Sequence, residues 1–212
     1  DIQSCFKKAN EIDDYIDAHF DYAFDEKYGY KTTFPTNTGT GMKAGYTLHL
    51  PSLSDARRLN DISAELGRFG LKFRTVYGDG QNGYGNLYQI STQKTLGQDE
   101  REVIKDLDDI VLQIVNQEKE QREHFYKKDK IQMDDEIYKS YGVLKYARKL
   151  SLKDSMVLIS ELMTGVSLGV LQFAHNGRYN INELIMDIQP AVLRQNSGKA
   201  MSVACLLYTS PS

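Results

Sequence analysis

The chain has 212 residues, of which 41% are hydrophobic and 26% charged, and its formal net charge is -3. That make-up excludes the disordered classes and gives no bulk attraction to nucleic acid or to an anionic membrane, so any anion site has to be local. The apolar runs are too short to span a bilayer and nothing at the start reads as a secretory leader, so the default expectation is a cytoplasmic protein with no membrane partner.

Cys5 and Cys205 stand at opposite ends without metal-ligand spacing, which supports neither a disulfide framework nor a zinc site. Asp1 opens directly into helical periodicity, which predicts a chain cut within a domain. Residues 205–212, CLLYTSPS, break the preceding pattern and resemble translated read-through into a sequencing adapter. They are set aside as a non-native tail.

In chain order, Phe6, Ala9, Ile12, Ile16 and Phe20 recur every three or four residues and predict an amphipathic helix that covers the core. An aromatic, acidic connector follows, and its run Tyr15, Phe20, Tyr22, Phe24, Tyr28 and Tyr30 reads as packing beneath a sheet, with base stacking as the other option. From Met42 to Leu50 the pattern alternates. Met42, Ala44, Tyr46, Leu48 and Leu50 share one face, while Lys43, Gly45, Thr47 and His49 share a polar one. His49 reads there as a surface residue at the strand end.

Pro51 stops that strand, and Ser52 or Ser54 is placed to cap a helix with the stripe Leu59, Ile62, Leu66 and Phe69, ended by Gly70. LKFRTVY predicts a second strand, with Leu71, Phe73 and Thr75 opposite Lys72, Arg74 and Val76. After the glycine-rich GDGQNGYGN comes a third, NLYQIST. A long helix begins after Gly97 on the stripe Val103, Leu107, Ile110, Val111 and Ile114, and its charged far end reads as solvated helix leading to a linker. Beyond Lys127–Lys130 the signals are helical. Asp134 or Asp135 is placed to cap Ile137, Tyr141 and Leu144, and Ser151–Asp154 and Asn180–Glu183 have capping-box spacing. The layout is α+β, then helical.

GTGMK resembles a phosphate-binding glycine loop, but Met42 separates Gly41 from Lys43 and a strand follows where a helix is needed. GDGQNG matches a dinucleotide fingerprint literally, yet it too leads into a strand. On spacing alone both loops read as turns. Charge offers more. Lys43 and Arg74 fall mid-strand on polar faces, with Asp79 just after, a set able to neutralise a polyphosphate and orient an acceptor. The same residues also suit an ordinary solvated face of an antiparallel sheet. No metal set or nucleophile triad is recognisable.

The segments NEIDDYIDAHFDYAFDEKYGYKTT, PTNTGTGMKAGYTLHLP, FRTVYGDG, GNLYQISTQKTLGQ and IYKSYGVLKYAR run in one register from about Ala9 to Met201 and resemble the ATP:guanido phosphotransferases. The tail after Lys130 is similar to the branch that phosphorylates arginine in proteins. The resemblance implies an α+β catalytic domain, an antiparallel sheet flanked by helices, over residues 1–127, truncated at its N-terminus. A small helical subdomain over 128–204 and the foreign tail at 205–212 complete the expected layout.

It also implies transfer of the ATP γ-phosphoryl group to arginine guanidinium groups, in service of protein quality control, with Mg²⁺ held through the nucleotide and no protein metal site. Nucleotide contacts then fall on Lys43, Ala44, Gly45, Tyr46 and Thr47, and on Arg74, Thr75, Val76, Tyr77, Gly78 and Asp79. Arg74 would stabilise the transferring phosphoryl group. Asp79 stands where the family has a glutamate that accepts a guanidinium proton, Phe34 where it has a reactive cysteine, and Lys43 where it has an arginine. Gly80–Gly85 would close over substrate. Implied partners are proteins with exposed arginine, adaptor or protease-chaperone proteins and a second copy in a homodimer, with no nucleic acid. The truncation predicts that this chain alone is inactive, and the alternative expectation is a catalytically degenerate nucleotide-binding or scaffold homologue.

Overall fold

The computed structural model describes residues 2–79, 82–97, 99–172 and 180–197. The expectations for the tail from Cys205 and for Gly80 and Gln81 lie outside them. Two compact units interleave along the chain. One takes residues up to Leu48, then Arg57–Arg74 and Tyr88–Gln117; the other takes His49–Ala56, Thr75–Leu87 and the chain from Glu118 onward.

In the first unit, helix α1 (Ile2–Asp17) forms where the periodicity predicts, but it has no buried residue. Ile12 is 61% and Phe20 69% exposed. The expected core-covering role is therefore not met: a 3.6-residue stripe makes a helix amphipathic without supplying a partner for it. A hairpin of β1 (Phe24–Asp25) and β2 (Gly29–Tyr30) stands in the predicted connector. Asp25 Oδ1 closes it by accepting the backbone N–H groups of Lys27 and Tyr28 at 3.0 and 3.2 Å, the local bond that makes aspartate a turn residue. Tyr15, Phe24 and Tyr28 are exposed on this side of the unit, not packed beneath the sheet.

The three predicted strands form one sheet. They are β3 (Gly45–His49), β4 (Leu71–Thr75) and, after the short hairpin strands β5 (Gly78–Asp79) and β6 (Asn82–Gly83), β7 (Leu87–Thr92); the order is β3–β7–β4. Helix α2 (Pro51–Asp55) and helix α3 (Leu59–Arg68) lie between β3 and β4 in sequence. Ile62 and Leu66 of α3 are buried, and Gly70 at φ +71° turns the chain into β4, a conformation that favours glycine. Neither Ser52 nor Ser54 caps α3, whose N-cap is Arg58 without a side-chain bond. Helix α4 (Glu100–Lys128) starts where Asp99 accepts from the N–H groups of Arg101 and Glu102, and it buries Ile104, Leu107, Val111 and Ile114.

The second unit is mainly helical, with α5 (Lys130–Tyr146), α6 (Leu152–Ser167), α7 (Ile181–Asp187) and α8 (Pro190–Ser197). Ile137, Leu144, Met156, Ile159, Leu162, Ile185 and Ile188 form its core. Ser151 and Asn180 cap α6 and α7 as predicted, but α5 is capped by Asp129 through the Gln132 N–H, a turn ahead of Asp134 and Asp135. The helix simply begins earlier than its apolar stripe.

The charged end of α4 is not all solvated. Glu118 is 3% exposed and accepts from the backbone N–H groups of Ser52 and Leu53 at 3.1 and 2.9 Å, and from Arg122 Nη2 at 2.9 Å. The carboxylate thus supplies the cap that Leu50, at the α2 N-cap, lacks. Glu118 also sits four residues past Ile114, so it occupies the next place on the helix's buried stripe. Removing one partner from a buried ion pair costs about 3–5 kcal/mol. Glu118→Ala should lower stability by that order in urea unfolding, and Glu118→Gln, which keeps an acceptor, by less; a Glu118→Ala midpoint equal to the parent's would refute the cap.

Candidate functional site

The ladder determines which side chains share a face. Thr92 N–H bonds to Ala44 C=O at 2.9 Å and Gln93 N–H to Gly70 C=O at 3.2 Å, while Leu50 N–H and Val76 N–H bond to Asn86 and Leu87 carbonyls at 2.9 Å each. Partner numbers fall along one strand as they rise along the other, so both pairings are antiparallel. That register sets Thr47 opposite Gln89, and Gln89 opposite Arg74.

Thr47 and Arg74 are exposed and Gln89 half-buried, so a polar row crosses three strands. Arg74 Nε donates to Gln89 Oε1 at 2.7 Å, which holds the guanidinium by one edge. Lys43 is exposed on the same face and, among the described residues, in no ion pair. It is not adjacent to Arg74. Four residues of extended chain and two strand spacings put the backbones about 13 Å apart along the strands and about 10 Å across them. Gly45 lies between, where an added Cβ would come within 2.8 Å of the Ile90 carbonyl oxygen. A bare backbone therefore separates Lys43 from Thr47.

Ala44 and Tyr46 point to the opposite face. Ala44 N–H bonds to Thr92 Oγ1 at 3.2 Å, and Tyr46 donates its phenol proton to Asp108 of α4 at 2.6 Å. Burial first, and then that bond, push the Tyr46 phenol up to about 12. Only the backbone of these two residues is left for a ligand on the polar face. Phe34, 67% exposed, precedes a 3₁₀ turn at Pro35–Asn37, and its carbonyl accepts from Thr32 Oγ1 at 2.7 Å.

The other expected segment belongs to the second unit. Val76 is exposed, Tyr77 stacks on Tyr84 at 6.2 Å between ring centres, and Gly78 has φ +98°. Asp79 pairs with Asn82 across the β5–β6 hairpin, and its side chain lies outside the described structure. Gly83 must be glycine for this hairpin, because a Cβ there would run into the Thr75 side chain.

His49 departs from the surface position expected of it. Its Nε2 lies 2.8 Å from Ser160 Oγ, and Asn86 Nδ2 donates to the same hydroxyl at 3.1 Å. Ser160 is then free to donate its proton to a neutral imidazole. Burial, aided by the Arg122 charge, lowers the His49 pKa to about 3. The alternation in sequence says which way His49 points in a flat strand, but not that a helix from 111 residues away meets it there.

The family model for the ATP:guanido phosphotransferase C-terminal catalytic domain matches residues 1–121. The chain belongs to the ATP:guanido phosphotransferase family. The model for the protein-arginine kinase McsB C-terminal domain matches residues 130–205. The protein-arginine kinase of Bacillus subtilis (strain 168) is 40% identical over 200 residues, which cover 94% of this chain and 54% of that protein. For the protein-arginine kinase of Staphylococcus saprophyticus the identity is 41% over 192 residues, covering 91% and 56%. The chain therefore spans about half the length of the curated relatives it matches. A solved taurocyamine kinase from Schistosoma mansoni with bound transition state analog components is 30% identical, with a TM-score of 0.46, over 54% of this chain and 16% of that one. Among the described residues of this family member, no helix is long and apolar enough to cross a membrane.

His49 gives this phosphotransferase-family chain an acid limit. Because its folded pKa lies below the ordinary 6.5, the unfolded chain binds the extra proton first, and stability is complete above about pH 6.5 and falls as pH drops toward 3. One such proton gives a slope of up to about 1.4 kcal/mol per pH unit in that window. Denaturant unfolding from pH 7 to pH 4 should show His49→Gln losing that much less stability per unit than the parent; identical pH profiles would remove His49 as the cause.

Proposed function

We propose that this chain is the nucleotide-binding, catalytic part of a protein-arginine kinase, which in its intact form moves the ATP γ-phosphoryl group to arginine guanidinium groups of proteins. The observation that carries this reading is the polar row Thr47, Gln89 and Arg74 beside the bare Gly45 backbone and the exposed Lys43, in a chain matched by both family models. A polyphosphate suits this face: two cations spaced along it neutralise charge, and glycine lets backbone come close. Bound Mg-ATP supplies the phosphoryl group, its metal held by phosphate oxygens.

In this reading Arg74, oriented through Nε by Gln89, turns its terminal nitrogens to the phosphoryl oxygens and offsets the negative charge that builds on them. Lys43 supplies charge without the planar fork of an arginine. Thr47 and the Lys43–Thr47 backbone position the chain of phosphates, and Thr75, Val76, Tyr77 and Gly78 are the further nucleotide contacts that the family resemblance implies. Asp79 takes the proton that the attacking guanidinium nitrogen releases. The setting is bacterial protein quality control in the cytoplasm, with arginine-bearing proteins as substrates, adaptor or protease-chaperone partners and a homodimeric assembly.

A second reading rests on Phe34. An exposed phenyl ring can neither ionise nor hydrogen-bond a guanidinium, so the chain also fits a nucleotide-binding scaffold that no longer turns over, and alone it is expected to be inactive. Two measurements separate the cases. For the chain itself, Arg74→Ala should weaken ATP binding about 10- to 100-fold, the worth of a charged hydrogen bond; unchanged affinity would remove the polar face as the phosphate site. Grafted onto the upstream half of the Bacillus subtilis relative, the chain should form acid-labile phosphoarginine, faster when Phe34→Cys, Lys43→Arg and Asp79→Glu are combined. ATP binding with no turnover even then decides for the scaffold.

A further inference from the structure

A pocket in the first unit has the opposite chemistry to the polar sheet face. It encloses about 350 Å³ between α1, the β1–β2 hairpin, the 40–42 loop and the first turn of α4. Tyr22 and Tyr30 line it edge to face, 5.5 Å apart at 90°, with Phe6 and Met42 as further apolar wall. Two carboxylates, Asp13 and Glu100, complete it. Tyr22 donates its phenol proton to Asp13 Oδ1 at 3.0 Å, which fixes that ring against the acid.

The pocket's negative charge is uncompensated from within. Lys31 also lines it, but its ammonium is drawn to Asp25 Oδ2 at 3.3 Å on the hairpin. Among the described residues no other cation lines the pocket. Proton affinities follow suit. Burial, then Asp99 and Asp13, raise Glu100 above the usual carboxylate value, and burial, then Asp13, Asp17 and Glu100, raise the Tyr30 phenol.

We propose that this pocket binds an organic cation, specifically the guanidinium of an arginine side chain, held without reacting. Ring faces attract a cation through their quadrupole, and carboxylates accept its N–H groups. Hard metal ions need several converging oxygens, and among the described residues no group of three or more His, Cys, Asp or Glu is placed to hold one. A guanidinium is planar and weakly hydrated, so it stacks on a phenol ring and forks to a carboxylate at less desolvation cost than a compact ammonium. Neither Arg74 nor Thr47 lines the pocket, so the assignment stands whether or not the sheet face transfers phosphate.

The test is calorimetric titration of the chain with n-propylguanidinium, against n-propylurea as its neutral isostere and n-butylammonium as the other cation class. We expect saturable binding of the guanidinium, at least tenfold weaker binding of the ammonium and none of the urea. Glu100→Gln and, separately, Asp13→Asn should each weaken it about tenfold. Glu100 is in the first turn of α4 and buries nothing essential to the core, so the folded state should keep its melting temperature. Arg74→Ala should leave it unchanged. Equal binding of the urea, equal binding of the ammonium, indifference to both carboxylate substitutions, or loss in Arg74→Ala would each overturn the assignment.

Discussion

The antiparallel register of β3, β7 and β4 is the constraint on which the candidate site depends. Side chains alternate strictly across a strand, so a slip of one residue would carry Lys43, Thr47 and Arg74 to the buried face and bring Tyr46 and Phe73 out. The bonds from Thr92 to Ala44 and from Gln93 to Gly70 forbid that slip. Packing reinforces it on the other side: Phe73 stacks on Tyr88 at 5.2 Å, nearly parallel, and Tyr46 is tied to Asp108. The polar row is thus the reverse side of an apolar one, and neither could move without the other.

Two ionisable groups of the second unit, the buried Glu118 and the half-buried His49, feel the same Arg122 charge. Glu118 keeps a dense set of donors around it, two backbone N–H groups and a guanidinium, so a carboxylate is held where an apolar residue would otherwise sit. Among the described residues His49 has a hydroxyl as its hydrogen-bond partner and the Arg122 charge nearby, and its pKa falls below the ordinary value. The difference follows from sign. Arg122 and a helix N-terminus favour an anion and disfavour a second cation.

The first unit carries two surfaces of opposite preference. Its sheet face presents Lys43, Arg74 and open backbone and suits anions, while the Tyr22–Tyr30 pocket presents Asp13 and Glu100 and suits a cation. A net charge of -3 conceals both, because composition averages over surfaces that a folded chain keeps apart. In the assignment proposed above, that separation keeps a guanidinium in the pocket away from the sheet face, since neither Arg74 nor Thr47 lines the pocket.

What the amino-acid sequence determined by itself was local. Alternation from Met42 to Leu50 and from Leu71 to Val76 specified strands and their faces, periodicity specified α1, α3 and α4, Ser151 and Asn180 specified caps, and motif order specified the family. These follow from periods of 2 and 3.6 residues and from bonds spanning two or three positions. The tertiary structure alone decided that α1 keeps its apolar stripe exposed, that Glu118 caps α2 from 65 and 66 residues away and that His49 meets Ser160. It also decided that Lys43 and Arg74 share a face without touching. Periodicity says which side of an element is apolar or polar, but the partner is chosen by contacts between distant segments, whose closure entropy only the whole packed core offsets.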